Sequence, residues 1–349
     1  MYNKLLLAAL FSFSTGVLAA PAISDPVLTV PENVTIPPVP LDVDTASLKA
    51  QSVTPISAAE ASSYIPYEYF SAAAYCPPDA QAKWSCKYCQ AQPVKDFVVY
   101  ASGGDGNLVQ YCKSHILTSF KCSNNICAAG YVGWWPSGNS VVVGHQGTQF
   151  NKIIAVLTDL AFLPVPVNSK LFPGTPSSAR VHFGFQEAHE RTATVVLNTV
   201  KKVIAERGAT KVVTVGHSLG GALALLDGLY LKLNLPSNIE IITRTIGQPR
   251  VGNDAFAKFV DQKVPNLVRI TNKGDLVPGL PPLILGFKHN VGESHINKQG
   301  AWNACAGQDN LDVNCSTGQL LKQGIVLTDH LGPYAGGFQV PNLKDCYFV

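Results

Sequence analysis

Charge is scarce in this chain. Of 349 residues, 26 are Lys or Arg and 23 are Asp or Glu, 14% together, and the net charge is only +3. So small and balanced a charge excludes the broad basic face that grips a nucleic acid or an anionic bilayer. It suits a well-buried domain with an apolar surface patch. Long apolar runs are missing too. Residues 5–18 are apolar but too few to span a bilayer. No later stretch reaches ~18 uncharged apolar residues; 219–235 comes nearest but carries Asp227 and Lys232. No transmembrane anchor is therefore expected. There is no internal repeat, and no cysteine lies between Cys127 and Cys305.

At the amino end, Lys4, the apolar run and Val17-Leu18-Ala19 read as a secretory signal peptide, residues 1–19. Residues 20–58 are rich in Pro, Val, Thr and Ala, and Pro37, Pro38 and Pro40 block regular structure. They are expected to be a pro-segment or disordered leader, with a strand-like extension packed on the body as the alternative. Residues 59–349, ~290 in number, suit one large α/β domain, secreted and extracellular. The oligomeric state is open.

Nine cysteines fit an oxidising compartment. Six lie between Cys76 and Cys127 and three between Cys305 and Cys346, so the two ends need staples and the centre does not. Spacing alone fixes no pairing, but Cys122 with Cys127 and Cys305 with Cys315 are close enough for local loops. Cys86-x-x-Cys89 has no second CxxC and no neighbouring histidine, which argues against a redox or zinc site. Asn33-Val-Thr and Asn314-Cys-Ser are glycosylation sequons, the second compromised by Cys315 at its centre.

In the middle of the chain, β-prone residues 126–135 and 141–144 flank a Pro136-Ser-Gly-Asn139 hairpin turn. Residues 164–176, broken by proline and glycine, read as irregular. Residues 187–208 predict a helix with Val195, Val196, Val200, Val203 and Ile204 on one face, stopped by Gly208. Strands are expected over 212–215, 239–246 and 267–271, and a helix over 254–264. Apolar strands alternating with helices indicate a mostly parallel sheet with helices on both faces.

The most informative stretch is Lys211-Val-Val-Thr-Val-Gly-His-Ser-Leu-Gly-Gly221. Here G-x-S-x-G follows a β-branched run and precedes a leucine-rich segment, the strand–turn–helix setting of a nucleophile elbow. Gly216 and Gly220 lack the Cβ atoms that would clash where strand and helix cross. The turn is expected to expose the Ser218 hydroxyl beside free helix N–H groups.

A serine hydroxyl needs a base, and the base needs an acceptor that fixes its tautomer. In this fold class the order is Ser, acid, His. Asp275 directly follows a strand, where active-site groups of parallel sheets gather. Asp254 is the second candidate but looks like a helix cap. His289, His295 and His330 follow, and His330, in a late loop, fits the last place. Asp329 beside it is a poor orienting partner, because neighbouring side chains diverge. The oxyanion requires preorganised N–H donors: the amide of Leu219, and one from the Gly147-Thr148 loop.

Together these residues resemble the fungal class 3 lipase family, which holds triacylglycerol lipases and feruloyl esterases. The resemblance rests on Tyr69-Phe-Ser-Ala-Ala-Ala-Tyr-Cys76, Val181-His-Phe-Gly-Phe185, Gly216-His-Ser-Leu-Gly-Gly221, Gly247-Gln-Pro-Arg-Val-Gly-Asn253, Asp275-Leu-Val-Pro-Gly-Leu-Pro281 and His330-Leu-Gly-Pro-Tyr334. It implies an α/β-hydrolase fold, a Ser218–His330–Asp275 triad, oxyanion donors at Thr148 and Leu219, and a Cys76–Cys346 bridge. It implies no metal or cofactor. Two features depart from the family: Gln146-Gly147-Thr148 stands where Arg-Gly-Ser/Thr is usual, and Cys86, Cys89 and Cys112 do not map onto family bridges.

In members that act on lipid, the segment after the oxyanion loop is a lid. Here Phe150, Ile153, Ile154 and Leu157 share one helical face, and Leu160 and Phe162 extend it as an acyl groove; the alternative is that this helix is simply core. The resemblance thus implies a secreted lipase acting on ester lipid at an oil–water interface. A feruloyl or aryl esterase is the alternative, and an inactive binding scaffold a remote one.

Overall fold

The computed structural model describes residues 49–104, 129–148, 162–341 and 346. Among the described residues thirteen strands form two sheets: β1 (Val53–Pro55), β2 (Val98–Gly104), β3 (Ala129–Trp135), β4 (Ser140–His145), β5 (Pro164–Pro166), β6 (Arg180–His182), β7 (Lys211–His217), β8 (Glu240–Ile246), β9 (Gly252–Asn253), β10 (Leu267–Asn272), β11 (Phe287–Lys288), β12 (Glu293–Ile296) and β13 (Trp302–Cys305). The main sheet runs β1-β13-β12-β10-β8-β7-β4-β3-β2. Its five central strands, β12 to β4, are parallel, and both flanks are antiparallel. A small antiparallel sheet, β11-β9-β6-β5, stands apart from it.

The β-branched run of β7 explains its central place. Val212 belongs to a core shared with Val143, Val200, Val203 and Leu226, while Val213 and Val215 belong to another with Phe70, Trp84 and Phe97. Alternate side chains of a strand point to opposite faces, so β7 carries both cores. Four main helices follow the strands: α4 (Phe183–Arg207), α5 (Leu219–Asn234), α6 (Asp254–Lys263) and α7 (Ser316–Gln323); α1 (Ala58–Ser63), α2 (Ile65–Ala73) and α3 (Pro78–Lys83) precede them. Residues 219–231 of α5 are all buried. A helix apolar all round belongs inside, and α5 packs against β7, β8 and α4. Among the described residues no helix is long and apolar enough to cross a membrane.

Two expectations change. Residues 53–55, read as the end of a leader, are a strand of the main sheet paired with β13, and Ser57 caps α1 by accepting from the Glu60 amide. The folded body therefore includes residues before 59. Pro55 is tolerated because β1 is an edge strand. Likewise residues 164–166, read as irregular, form β5, again an edge, where prolines lacking an N–H cost no ladder bond. The segments assigned above to the signal peptide and most of the leader lie outside the described residues.

Disulfides join Cys76 to Cys346, Cys305 to Cys315 and Cys86 to Cys89. The last bond answers the CxxC question with a local staple. Cys112, Cys122 and Cys127 lie outside the described residues. Asn314 of the second sequon is held on both sides, its Oδ1 accepting from Asn297 and its Nδ2 donating to Asp312.

Candidate active site

Ser218 stands between β7 and α5 with φ 59° and ψ −129°, in the left-handed half of backbone space that non-glycine residues avoid. Its amide donates to Ile246 O at 2.8 Å, which ties the turn to the end of β8. A methyl group on Gly216 would lie 2.1 Å from Gly220 O. The crossing of strand and helix is possible only without that atom. Taken as a whole residue Ser218 is buried, 3% exposed. The reason is the 146–148 loop, which passes so near that a methyl on Gly147 would sit 3.0 Å from Ser218 Cβ, 2.2 Å from Tyr75 Oη and 2.4 Å from His217 O. Thr148, buried, follows in that loop, and Leu219 opens α5.

Asp275 and His330 meet from loops after β10 and before the carboxyl end. His330 Nδ1 donates to Asp275 Oδ2 at 2.8 Å, and the Val277 amide donates to Asp275 Oδ1 at 2.9 Å. Both groups are buried. The proton on His330 is thereby held at Nδ1, leaving Nε2 as the bare, basic nitrogen. Nε2 is buried and has no partner among the described residues, so no hydrogen bond yet joins it to Ser218. Such contacts are often loose before substrate arrives. The other candidates are placed elsewhere. Asp254 is half exposed and paired to Lys258 and Lys288, and the cap of α6 is Asn253, not Asp254. His289 is bonded to Pro278 O, and His295 to Thr271 and Gln319.

Several supporting residues were not legible as such. His217 Nε2 donates to His330 O at 2.8 Å, so its Nδ1 is bare and accepts from Tyr75 Oη at 2.6 Å. Burial, with His330 adding a like charge, pushes His217 well below the ordinary histidine range. It is a neutral strut, its ring 4.4 Å from that of His330. Tyr334 Oη donates to the same His330 carbonyl at 3.2 Å. Asp329 does not touch the His330 ring; its Oδ2 accepts from the Gly274 amide and its carbonyl from Asn272 Nδ2, stapling the base loop to the acid loop. Arg250 donates to Gly279 O and Pro281 O below the acid loop and pairs with Asp309 at 2.8 Å. Tyr75 and Arg250 fall inside quoted motifs, but no spacing in the sequence assigns them these contacts.

Glu68 of α2 reaches the base loop from outside, accepting from the Ala335 amide at 3.0 Å. Burial pushes its carboxyl well above the ordinary range, and its Oε2 has no partner among the described residues. A carboxyl raised on folding contributes stability below its unfolded pKa and loses it as pH rises through the folded one. Glu68→Gln keeps an acceptor for Ala335 and cannot ionise. The variant should melt like the parent at pH 4 and above it as pH climbs to 9; identical melting curves across that range would refute the assignment.

Of the residues assigned to a lid and acyl groove, Phe150, Ile153, Ile154, Leu157 and Leu160 lie outside the described residues. Phe162 is half-buried with its ring 6.2 Å from that of His182. Burial pushes His182 down to about 4, so it packs there as a neutral ring.

The parallel sheet, the elbow and the Asp–His pair beside it define an α/β-hydrolase fold. The profile described as "Lipase (class 3)" matches residues 142–285. A secreted mono- and diacylglycerol lipase of Malassezia globosa, MDL3, is 32% identical over 197 residues, 56% of this chain and 63% of that protein. A lipase of Rhizopus niveus is 30% identical over 274 residues, 76% of this chain and 62% of that protein. Among solved structures, a triacylglycerol lipase whose catalytic centre is a serine-protease triad matches with TM-score 0.67 and 27% identity, covering 83% of this chain and 99% of that one. A fungal lipase–inhibitor complex described as a model for interfacial activation matches with TM-score 0.63 and 26% identity, covering 85% and 100%. Over these lengths the chain is similar to the class 3 lipase family. It spans less than two thirds of the length of the curated relatives named here.

Proposed function

We propose that this protein is a secreted serine carboxylester hydrolase of the triacylglycerol-lipase type, with Ser218 as nucleophile, His330 as base and Asp275 as orienting acid. The observation that carries the reading is the 2.8 Å Asp275–His330 bond, which leaves a bare Nε2 beside a strained serine turn. In this reading His330 Nε2 takes the Ser218 proton as Oγ attacks the ester carbonyl. Asp275 stabilises the imidazolium that results. The oxyanion is received by the amides of Thr148 and Leu219, and collapse expels the alcohol with the proton held by His330. Water then repeats the sequence and releases the acid. The chain has the residues for this route without a cofactor in any step.

Ester lipid as substrate, at an oil–water boundary, is supported by the names of the relatives and by the interfacial activation described for the fungal lipase–inhibitor complex. The test is hydrolysis of p-nitrophenyl esters from C2 to C16, methyl ferulate and emulsified triolein, beside Ser218→Ala. Turnover of the C8 to C16 esters and triolein, lost in the variant, is expected. Turnover confined to short or ferulate esters would overturn the lipase reading in favour of an aryl esterase. Failure of the native protein to react with a fluorophosphonate would mark an inactive scaffold.

A further inference from the structure

Two turns into α5, Asp227 is fully buried. Its Oδ1 accepts from His189 Nε2 at 2.9 Å and its Oδ2 from His145 Nε2 at 2.5 Å. Both histidines are buried as well. His189 comes from α4 and packs against the rings of Phe172 and Tyr230, each centroid 5.3 Å away. One carboxylate thus joins a strand and two helices inside the apolar core. Burial would raise its pKa; His189 and His145 outweigh that and hold it below the ordinary carboxylate range. An ionised group in such surroundings is costly unless fully paired, and apolar side chains would hold the three elements together as well. Packing alone therefore does not explain it.

What its carriers deliver does. β4 ends at His145, and the next residues are Gln146, Gly147 and Thr148. α5 begins at Leu219. His145 lies opposite Gly216 in the β4–β7 register, and its carbonyl is so close to α5 that a methyl on Gly220 would meet it at 2.3 Å. Asp227 is thus a tie between the strand that leads to one oxyanion donor and the helix that supplies the other. Donors act only when held about 2.7–3.1 Å from where the oxyanion forms, so their separation matters more than their presence.

We propose that Asp227, His145 and His189 are positioning residues that fix the spacing of the Thr148 and Leu219 donors; this rests on the reading of those donors given above. Each imidazole donates from Nε2, and His189 Nδ1 has no partner among the described residues. Asp227→Asn offers one acceptor and one donor in place of two acceptors. One imidazole must then shift its proton to Nδ1, and the tie is broken on one side.

The experiment compares Asp227→Asn, His145→Phe and His145→Gln with the parent on p-nitrophenyl butyrate, below the melting temperature of each. Affinity for an alkylboronic acid, which forms a tetrahedral adduct on the nucleophile, is measured alongside. Asp227→Asn and His145→Phe should lower kcat about 10- to 100-fold with KM nearly unchanged. Boronate affinity should fall by the same factor. His145→Gln, whose Nε2 can stand near that of the imidazole, should recover most of both; this pair remains informative if Asp227→Asn does not fold. Variants that melt earlier yet keep kcat and boronate affinity would overturn the proposal. Ser218→Ala separates the two failures. Turnover surviving that change overturns the triad reading, whereas turnover lost there but unchanged in Asp227→Asn and His145→Phe overturns only the positioning role.

Discussion

Ser218→Ala or His330→Ala is expected to lower kcat roughly 10⁶-fold, and Asp275→Asn about 10⁴-fold, as in serine-protease triads. The difference follows from what each change removes. Without Ser218 Oγ no acyl-enzyme forms, and without His330 nothing takes its proton. Asp275→Asn leaves both in place but replaces the acceptor of His330 Nδ1–H with a group that presents a donor on one side. The imidazole then has reason to turn or to carry its proton on Nε2, where it cannot act as a base. The Val277 amide still needs Oδ1, which biases the orientation of the new side chain toward that failure. Steady-state kinetics on a soluble ester decide it. Asp275→Asn with near-native kcat would remove Asp275 from the reaction and turn the test to the alternative Asp254, which is half exposed and paired to two lysines.

Arg250→Leu is expected to destabilise the fold by about 3–5 kcal/mol. It would leave Asp309 buried opposite an apolar side chain. Burial raises Asp309, and the Arg250 guanidinium, with His289, overturns that and holds it below the ordinary carboxylate range. The Thr317 hydroxyl and the His289 amide also donate to Asp309, but neither brings a fixed charge. In a domain of this size the loss corresponds to a fall of roughly 10 °C in Tm. Activity should fall too, because Gly279 and Pro281 lose the donor that supports the acid loop. Replacing Asp309 by Leu in the same protein should restore part of the stability, as removing both charges leaves none unpaired. A Tm within about 2 °C of the parent in Arg250→Leu would show that the pair contributes little.

Each member of the proposed triad sits in a local pattern with its own physics. The β-branched run and two glycines around Ser218 require a strand, a sharp turn and a helix, and Asp275 lies in the loop just after the strand expected over 267–271. The parallel centre of the sheet was readable from apolar strands alternating with helices. The edges were not. Short strands such as 53–55 and 164–166 exist because a partner strand accepts them, and their prolines read locally as breakers. The struts of the site were hidden for a similar reason. Tyr75 and His217 are 142 residues apart, and Glu68 and Ala335 267 apart. No periodicity connects such pairs, and only the packed fold brings them together. In the sequence His145 merely adjoins the Gln146-Gly147-Thr148 loop, His189 falls within a helix and Asp227 interrupts an apolar run. Their meaning appears only when one carboxylate is found between two imidazoles.

The Cys76–Cys346 bond, between cysteines 270 positions apart, closes the chain into a covalent ring, and Ser218, Asp275 and His330 all lie within it. A single proteolytic cut anywhere inside that ring yields one molecule rather than two. The parts bearing the serine and the histidine would remain tethered, their reassociation unimolecular and independent of dilution. Nicked protein should therefore run as two fragments only after reduction, and resistance to digestion in an enzyme-rich medium would belong to the ring as much as to the core.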